Sequence, residues 1–99
     1  MNMSLYQKKY SSWNEKIAVK IAFSENIILT ANHWKVIHIL RFLFFKYKII
    51  PNLRILINTL KKKYNNTYWD SIILFQLFPN GILKQALNIA GLPKNNICL

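Results

Sequence analysis

A chain of 99 residues, 53% of them hydrophobic, makes one globular domain over 1–99 and excludes both a second domain and a disordered polypeptide. Its most apolar window, Val36–Phe45, contains Arg41 and runs into Lys46 and Lys48, and the first residues lack the apolar run of an export signal; no membrane span is expected, and a cytoplasmic location is. Fourteen Lys and Arg against three acids leave a net charge of +11, which suits a polyanionic partner, although the abundance of Lys, Asn and Ile is also what an A+T-rich coding bias produces.

In chain order, "MSLYQKK" (Met3–Lys9) alternates as a short edge strand would. "SSWNEKIAVKIAF" reads as the first helix, with Ser12 as N-cap, Glu15 completing a capping box, and Trp13, Ile17, Ile21 and the neighbouring alanines as the inward stripe. Asn26, which tolerates a left-handed backbone, ends it. "ILTANHWKVIHILRFLFFKYK" follows as the central, most buried helix, capped by Thr30, with Trp34, Ile37, Leu40 beside Arg41, and Phe44 at helical spacing. His33 and Trp34, at its start, are assigned to capping and packing.

Pro51 fixes the next turn, and Asn52 caps a helix whose buried face is Leu53, Leu56 with Ile57, Leu60 and Tyr64. Lys61, Lys62 and Lys63 fall in its last turn, where the helix dipole favours cations. After a polar break, "YWDSIILFQLF" is a short apolar helix that Pro79 stops. "NGILKQALNIAG" is the last, with Ile82, Ala86, Ile89 and Ala90 inward, Gly91 as its left-handed cap, Leu92 folding back and Pro93 forbidding continuation. Phe42, Phe44, Phe45 and Trp69 are assigned to the core. The fold class expected is therefore mainly α: about five packed helices, a vestigial N-terminal β element, and a mobile C-terminal arm over 91–99.

The chemistry narrows by elimination. Glu15, Glu25 and Asp70 are the only acids and lie in separate segments, which leaves no paired carboxylates for acid–base work. One cysteine and two histidines are too few for a zinc site, and His33 and His38, five apart, point about 140° away from each other around a helix. Two glycines build no phosphate-binding loop. No metal and no cofactor is expected. Cys98, one residue from the C-terminus, is the remaining reactive group. A lone cytosolic cysteine is an inert small hydrophobe in one reading. In the other, a thiol on a tether beyond a helix cap is accessible for exchange with other proteins, with Lys94, Lys84 and Arg54 as the cations available to favour its thiolate.

Several blocks resemble one family: "LTANHWKVIHILRFLFFKY", "PNLRIL", "LFPNGILKQALNIAGLPK" and the penultimate Cys98 are similar, in the same order, to the TusE/DsrC family. The family's tryptophan and alanines of the first helix match Trp13, Ala18 and Ala22, its His-Trp step His33 and Trp34, and its central arginine Arg41. Its Pro-x-x-Arg matches Pro51 and Arg54, and its closing elements match Lys84, Gln85, Ala86 and Ala90 to Lys94.

The resemblance implies a helical protein of α+β family fold whose terminal cysteine, here Cys98, accepts sulfur as a persulfide and passes it on. DsrC-like members carry a second cysteine eleven residues upstream, a place held here by Leu87, so the one-cysteine branch is implied. For that branch the implied partners are a TusBCD-like donor complex and an MnmA-like tRNA thiouridylase, through which tRNA is reached for 2-thiolation of the wobble uridine. The chain departs from the family in a shortened N-terminal part, Asn26 for a glycine, and Ile82 and Asn95 for prolines. Two other readings stay open: a small basic helical nucleic-acid-binding module in which Cys98 is idle, and a DsrC-like partner-binding protein without transfer activity.

Overall fold

The computed structural model describes residues 12–64 and 67–93, so the strand expected at Met3–Lys9 lies outside the described residues. Five helices make up the described chain: α1 (Glu15–Ser24), α2 (Ala31–Tyr47), α3 (Leu53–Tyr64), α4 (Ser71–Leu77) and α5 (Ile82–Ile89). The mainly α class is as expected. No helix among the described residues is long and apolar enough to cross a membrane.

Four of the five described helices begin where a side chain takes over a backbone donor that has no partner inside the helix; α5 begins after Gly81 without one. Asn14 accepts from the Ile17 N–H at 3.0 Å, Asn52 from Ile55 at 2.9 Å, and Asp70 from Ile73 at 2.9 Å. The first is a correction, because Ser12 had the spacing of a capping box with Glu15. Asn14 is the last extended residue, at φ −145° and ψ 175°, and its amide is in place one residue before the helix.

α2 begins with a histidine in the role usually given to Glu or Gln. The Thr30 N–H donates to His33 Nδ1 at 3.0 Å, and the Thr30 hydroxyl lies 2.8 Å from the same nitrogen. Nε2 is then the protonated nitrogen and donates to the Leu77 carbonyl at 2.9 Å, tying the start of α2 to the end of α4. The ring is buried edge-on against Phe78, with centroids 5.2 Å apart. Desolvation pulls its pKa below the ordinary value, opposed in part by the Leu77 hydrogen bond.

α5 is the hub, packing against α1, α2 and α4, while α3 packs on α2. The residues α1 buries completely are Ala18 and Ala22, and Ile17 is 38% exposed, outside the stripe assigned to it. Alanines allow a close approach of backbones, which brings Glu25, just past α1, within reach of α5: Gln85 Nε2 donates to one carboxylate oxygen at 2.8 Å and Asn88 Nδ2 to the other at 2.6 Å. The buried Gln85 also accepts the Asn80 N–H at 3.0 Å. Phe44 and Trp69 are core residues as expected, Phe45 is half-buried against the core, and Phe42 is a correction, at 46% exposed.

Candidate functional site

Of the residues singled out from the sequence, Cys98 and Lys94 lie outside the described residues. The described chain shows what they depart from, the end of α5. The Gly91 N–H donates to the Asn88 carbonyl at 3.1 Å and the Leu92 N–H to the Leu87 carbonyl at 3.0 Å, the paired bonds of a Schellman closure. Gly91 stands at φ 68° and Leu92 is buried, as the sequence predicted for both. Asn26 closes α1 in the same manner at φ 62°, with Ile27 N–H on Ala22 O at 2.8 Å.

Glycine at 91 answers a second demand as well. A Cβ there would stand 2.3 Å from Trp13 Cδ1 and 2.9 Å from Cγ, so the indole occupies the space that any other residue would need. Trp13 uses its polar edge too, donating from Nε1 to the Ile89 carbonyl at 2.8 Å.

Arg41 completes this clasp. Its Nη1 donates to the Ala90 carbonyl at 2.6 Å, while the guanidinium lies 4.1 Å from the centroid of the Trp13 ring and 4.9 Å from that of Phe45. A cation on the last carbonyls of α5 meets the negative end of the helix dipole and satisfies acceptors that have no intrahelical partner. Burial lowers its pKa from the ordinary value, and an arginine keeps its proton even so. Together, Trp13 and Arg41 fix the last turn of α5 to α2 and to the segment just before α1.

Arg54 and Lys84 are both exposed, on the first turns of α3 and α5, without a hydrogen bond, ion pair or ring contact among the described residues. Lys84 lies in the first turn of α5, seven residues before Gly91, a separation of about 10 Å along the helix axis. Pro93, half-buried, follows the closure. Sequence reasoning weighted Arg54 above Arg41, whereas it is Arg41 that holds the end of α5. A signal existed: Arg41 is the one charge inside the most apolar window of the chain, and a charge in such a place needs a dedicated partner. Trp13 carried no comparable signal, since its partner is 76 residues away.

A family model described as "DsrC like protein" matches residues 1–99. Proteins called sulfurtransferase TusE are similar over nearly the whole chain. That of Buchnera aphidicola subsp. Acyrthosiphon pisum is 48% identical over 94 residues, spanning 95% of this chain and 82% of its own. That of Salmonella typhimurium is 38% identical over 94 residues, spanning 95% and 86%. Among solved structures, the NMR structure of Allochromatium vinosum DsrC aligns with a TM-score of 0.81 at 38% identity, covering 88% of this chain and 78% of that one. The crystal structure of the oxidized γ-subunit of the dissimilatory sulfite reductase (DsrC) from Archaeoglobus fulgidus aligns at 0.79 and 36%, covering 91% and 82%.

Proposed function

The chain belongs to the DsrC-like protein family, and on that footing we propose that it is a sulfur-relay carrier, a sulfurtransferase that accepts persulfide sulfur on Cys98 and delivers it to a tRNA thiouridylase for 2-thiolation of uridine. One observation carries the reading: likeness to sulfurtransferases along nearly the whole chain, in a sequence whose single thiol is Cys98.

The transfer is a thiol exchange. The Cys98 thiolate attacks the outer sulfur of a donor persulfide, R–S–SH; the donor S–S bond breaks, R–S⁻ leaves, and Cys98–S–SH forms without external oxidant or reductant. A second exchange of the same kind passes that sulfur to the next thiol. With no second cysteine the chain forms no internal disulfide, so the persulfide persists until a partner takes it. Lys94, Arg54 and Lys84 supply the positive surroundings that favour a thiolate. Gly91 and Pro93 end α5 ahead of the segment that carries it. The donor is a TusBCD-like complex, the acceptor an MnmA-like thiouridylase, and the cytoplasm the reducing compartment that keeps the thiol free.

The test is intact mass of the reduced protein after incubation with a cysteine desulfurase and relay components, beside Cys98→Ser. The expected result is a gain of one sulfur, about 32 Da, reversed by a thiol reductant and absent from the variant. An unmodified wild-type protein, with the same donor loading another acceptor, would overturn the reading.

A further inference from the structure

One stripe of α2 runs along its boundary with α3. Lys35, His38, Ile39, Phe42 and Lys46 recur at the spacing that places side chains on one side of a helix. Across from it, the last turn of α3 contributes Lys63 and Tyr64, and the two walls enclose a cleft of about 210 Å³ lined by His38, Ile39, Phe42, Lys63 and Tyr64. The floor is apolar and aromatic and the rim is cationic.

Rings hold two of the lysines in place. Lys35 Nζ lies 5.0 Å from the centroid of Tyr64, and Lys46 Nζ lies 5.6 Å from Phe42 and 5.7 Å from Tyr47. One acid reaches this region: Glu15 stands 3.8 Å from His38 Nε2, both of them exposed. No described carboxylate pairs with Lys35, Lys46 or Lys63, because Glu25 serves Gln85 and Asn88 and Asp70 caps α4.

Phe42 and Tyr47 are large exposed rings, and unlike Phe23, Ile28, Ile72 and Phe75, also exposed among the described residues, they stand against a lysine. Exposed rings in contact with ammonium groups suit a polymer that alternates flat bases with phosphates. An apolar helix would bury the lysines without partners, and a free phosphate would leave the rings unused. We propose that this cleft between α2 and α3 binds single-stranded RNA, its phosphates on Lys35, Lys46 and Lys63 and a base stacked on Phe42. The phosphate-and-base chemistry is read from the cleft, and the choice of RNA rests on the proposed role in tRNA thiolation.

The test titrates a fluorescein-labelled 12-nucleotide single-stranded RNA with the full chain, followed by anisotropy, at 50 and 200 mM salt. Three phosphate contacts predict that the fourfold rise in salt weakens wild-type binding about 18-fold. Lys46→Gln with Lys63→Gln removes two of them and flattens the log–log salt slope by about 1.4. Phe42→Leu, at an exposed site, weakens binding at least about fivefold through lost stacking. Lys16→Gln with Lys20→Gln, an equal loss of charge on α1, changes affinity less than twofold.

Equal losses from the α1 and cleft pairs would overturn the inference, since net charge alone would then be responsible. So would an unmoved Phe42→Leu, or a wild type silent at 50 mM salt, the outcome if the cleft serves an acidic protein. Sulfur loading is measured by mass on the same samples: loading without RNA binding defeats this inference alone, and RNA binding without loading defeats the carrier reading alone.

Discussion

Gly91 is the residue at which the backbone and a neighbouring side chain make the same demand. Its φ of 68° penalises any side chain, and the Trp13 ring fills the place of the missing Cβ. Gly91→Ala is expected to cost between about 2 and 5 kcal/mol, the sum of left-handed strain and overpacking. Urea denaturation measures it, and a loss under about 1 kcal/mol would show that the indole gives way freely. Half of this was legible from the chain, because glycine after an amphipathic helix and before proline announces a left-handed cap. The other half was not, since nothing local says that a tryptophan from the far end of the sequence will lie against it. Phe42 was misassigned for a related reason: hydrophobicity alone does not say which side of α2 meets α5.

At the scale of the element, caps were the most legible feature. Thr30, Asn52 and Asp70 stand where short polar side chains precede apolar periodicity, and Thr30 and Asn52 were placed correctly from the sequence alone. α1 was placed two residues early because Ser12 with Glu15 imitates a capping box, and only the backbone shows that the helix starts after the extended Asn14. The capping role of His33 has a consequence for acid stability. In the fold its imidazole is neutral, with Nδ1 accepting from Thr30 and burial holding the pKa below 6.5, whereas in the unfolded chain it titrates near that ordinary value. The unfolded chain therefore takes up the proton first, so stability is full above pH 6.5 and falls as the pH drops from there toward the lowered native value. The slope is at most about 1.4 kcal/mol per pH unit. Urea midpoints at pH 7.5, 6.5 and 5.5 are expected to decline, and His33→Gln to flatten the decline. A wild-type midpoint level across that range would contradict a neutral, desolvated His33.

For the molecule as a whole, charge was legible from composition, though its distribution was not. Eleven net positive charges sit on a body with a radius of gyration of 12.9 Å, so at low salt, where the screening length exceeds about 20 Å, the whole surface repels itself. Raising NaCl from 20 mM to 0.5 M is expected to lift Tm by at least about 4 °C, the shift produced by roughly 1 kcal/mol in a domain of this size. A level or falling Tm would mean that the lysines are already compensated. The family resemblance was legible because its blocks combine apolar spacing with turn residues, whereas the clasp of Trp13 and Arg41 depends on contacts between distant segments. One buried side chain also bears on where a thiol could work in this fold. Leu87, at the position where the resemblance implies a second cysteine in DsrC-like members, is 1% exposed, and its carbonyl receives the Leu92 N–H that closes α5. A thiol substituted there would be enclosed by the core and meet other thiols only when the last turn of α5 opened. At this position a change of one side chain would therefore not by itself create an accessible thiol: the closure of α5 would have to loosen along with it.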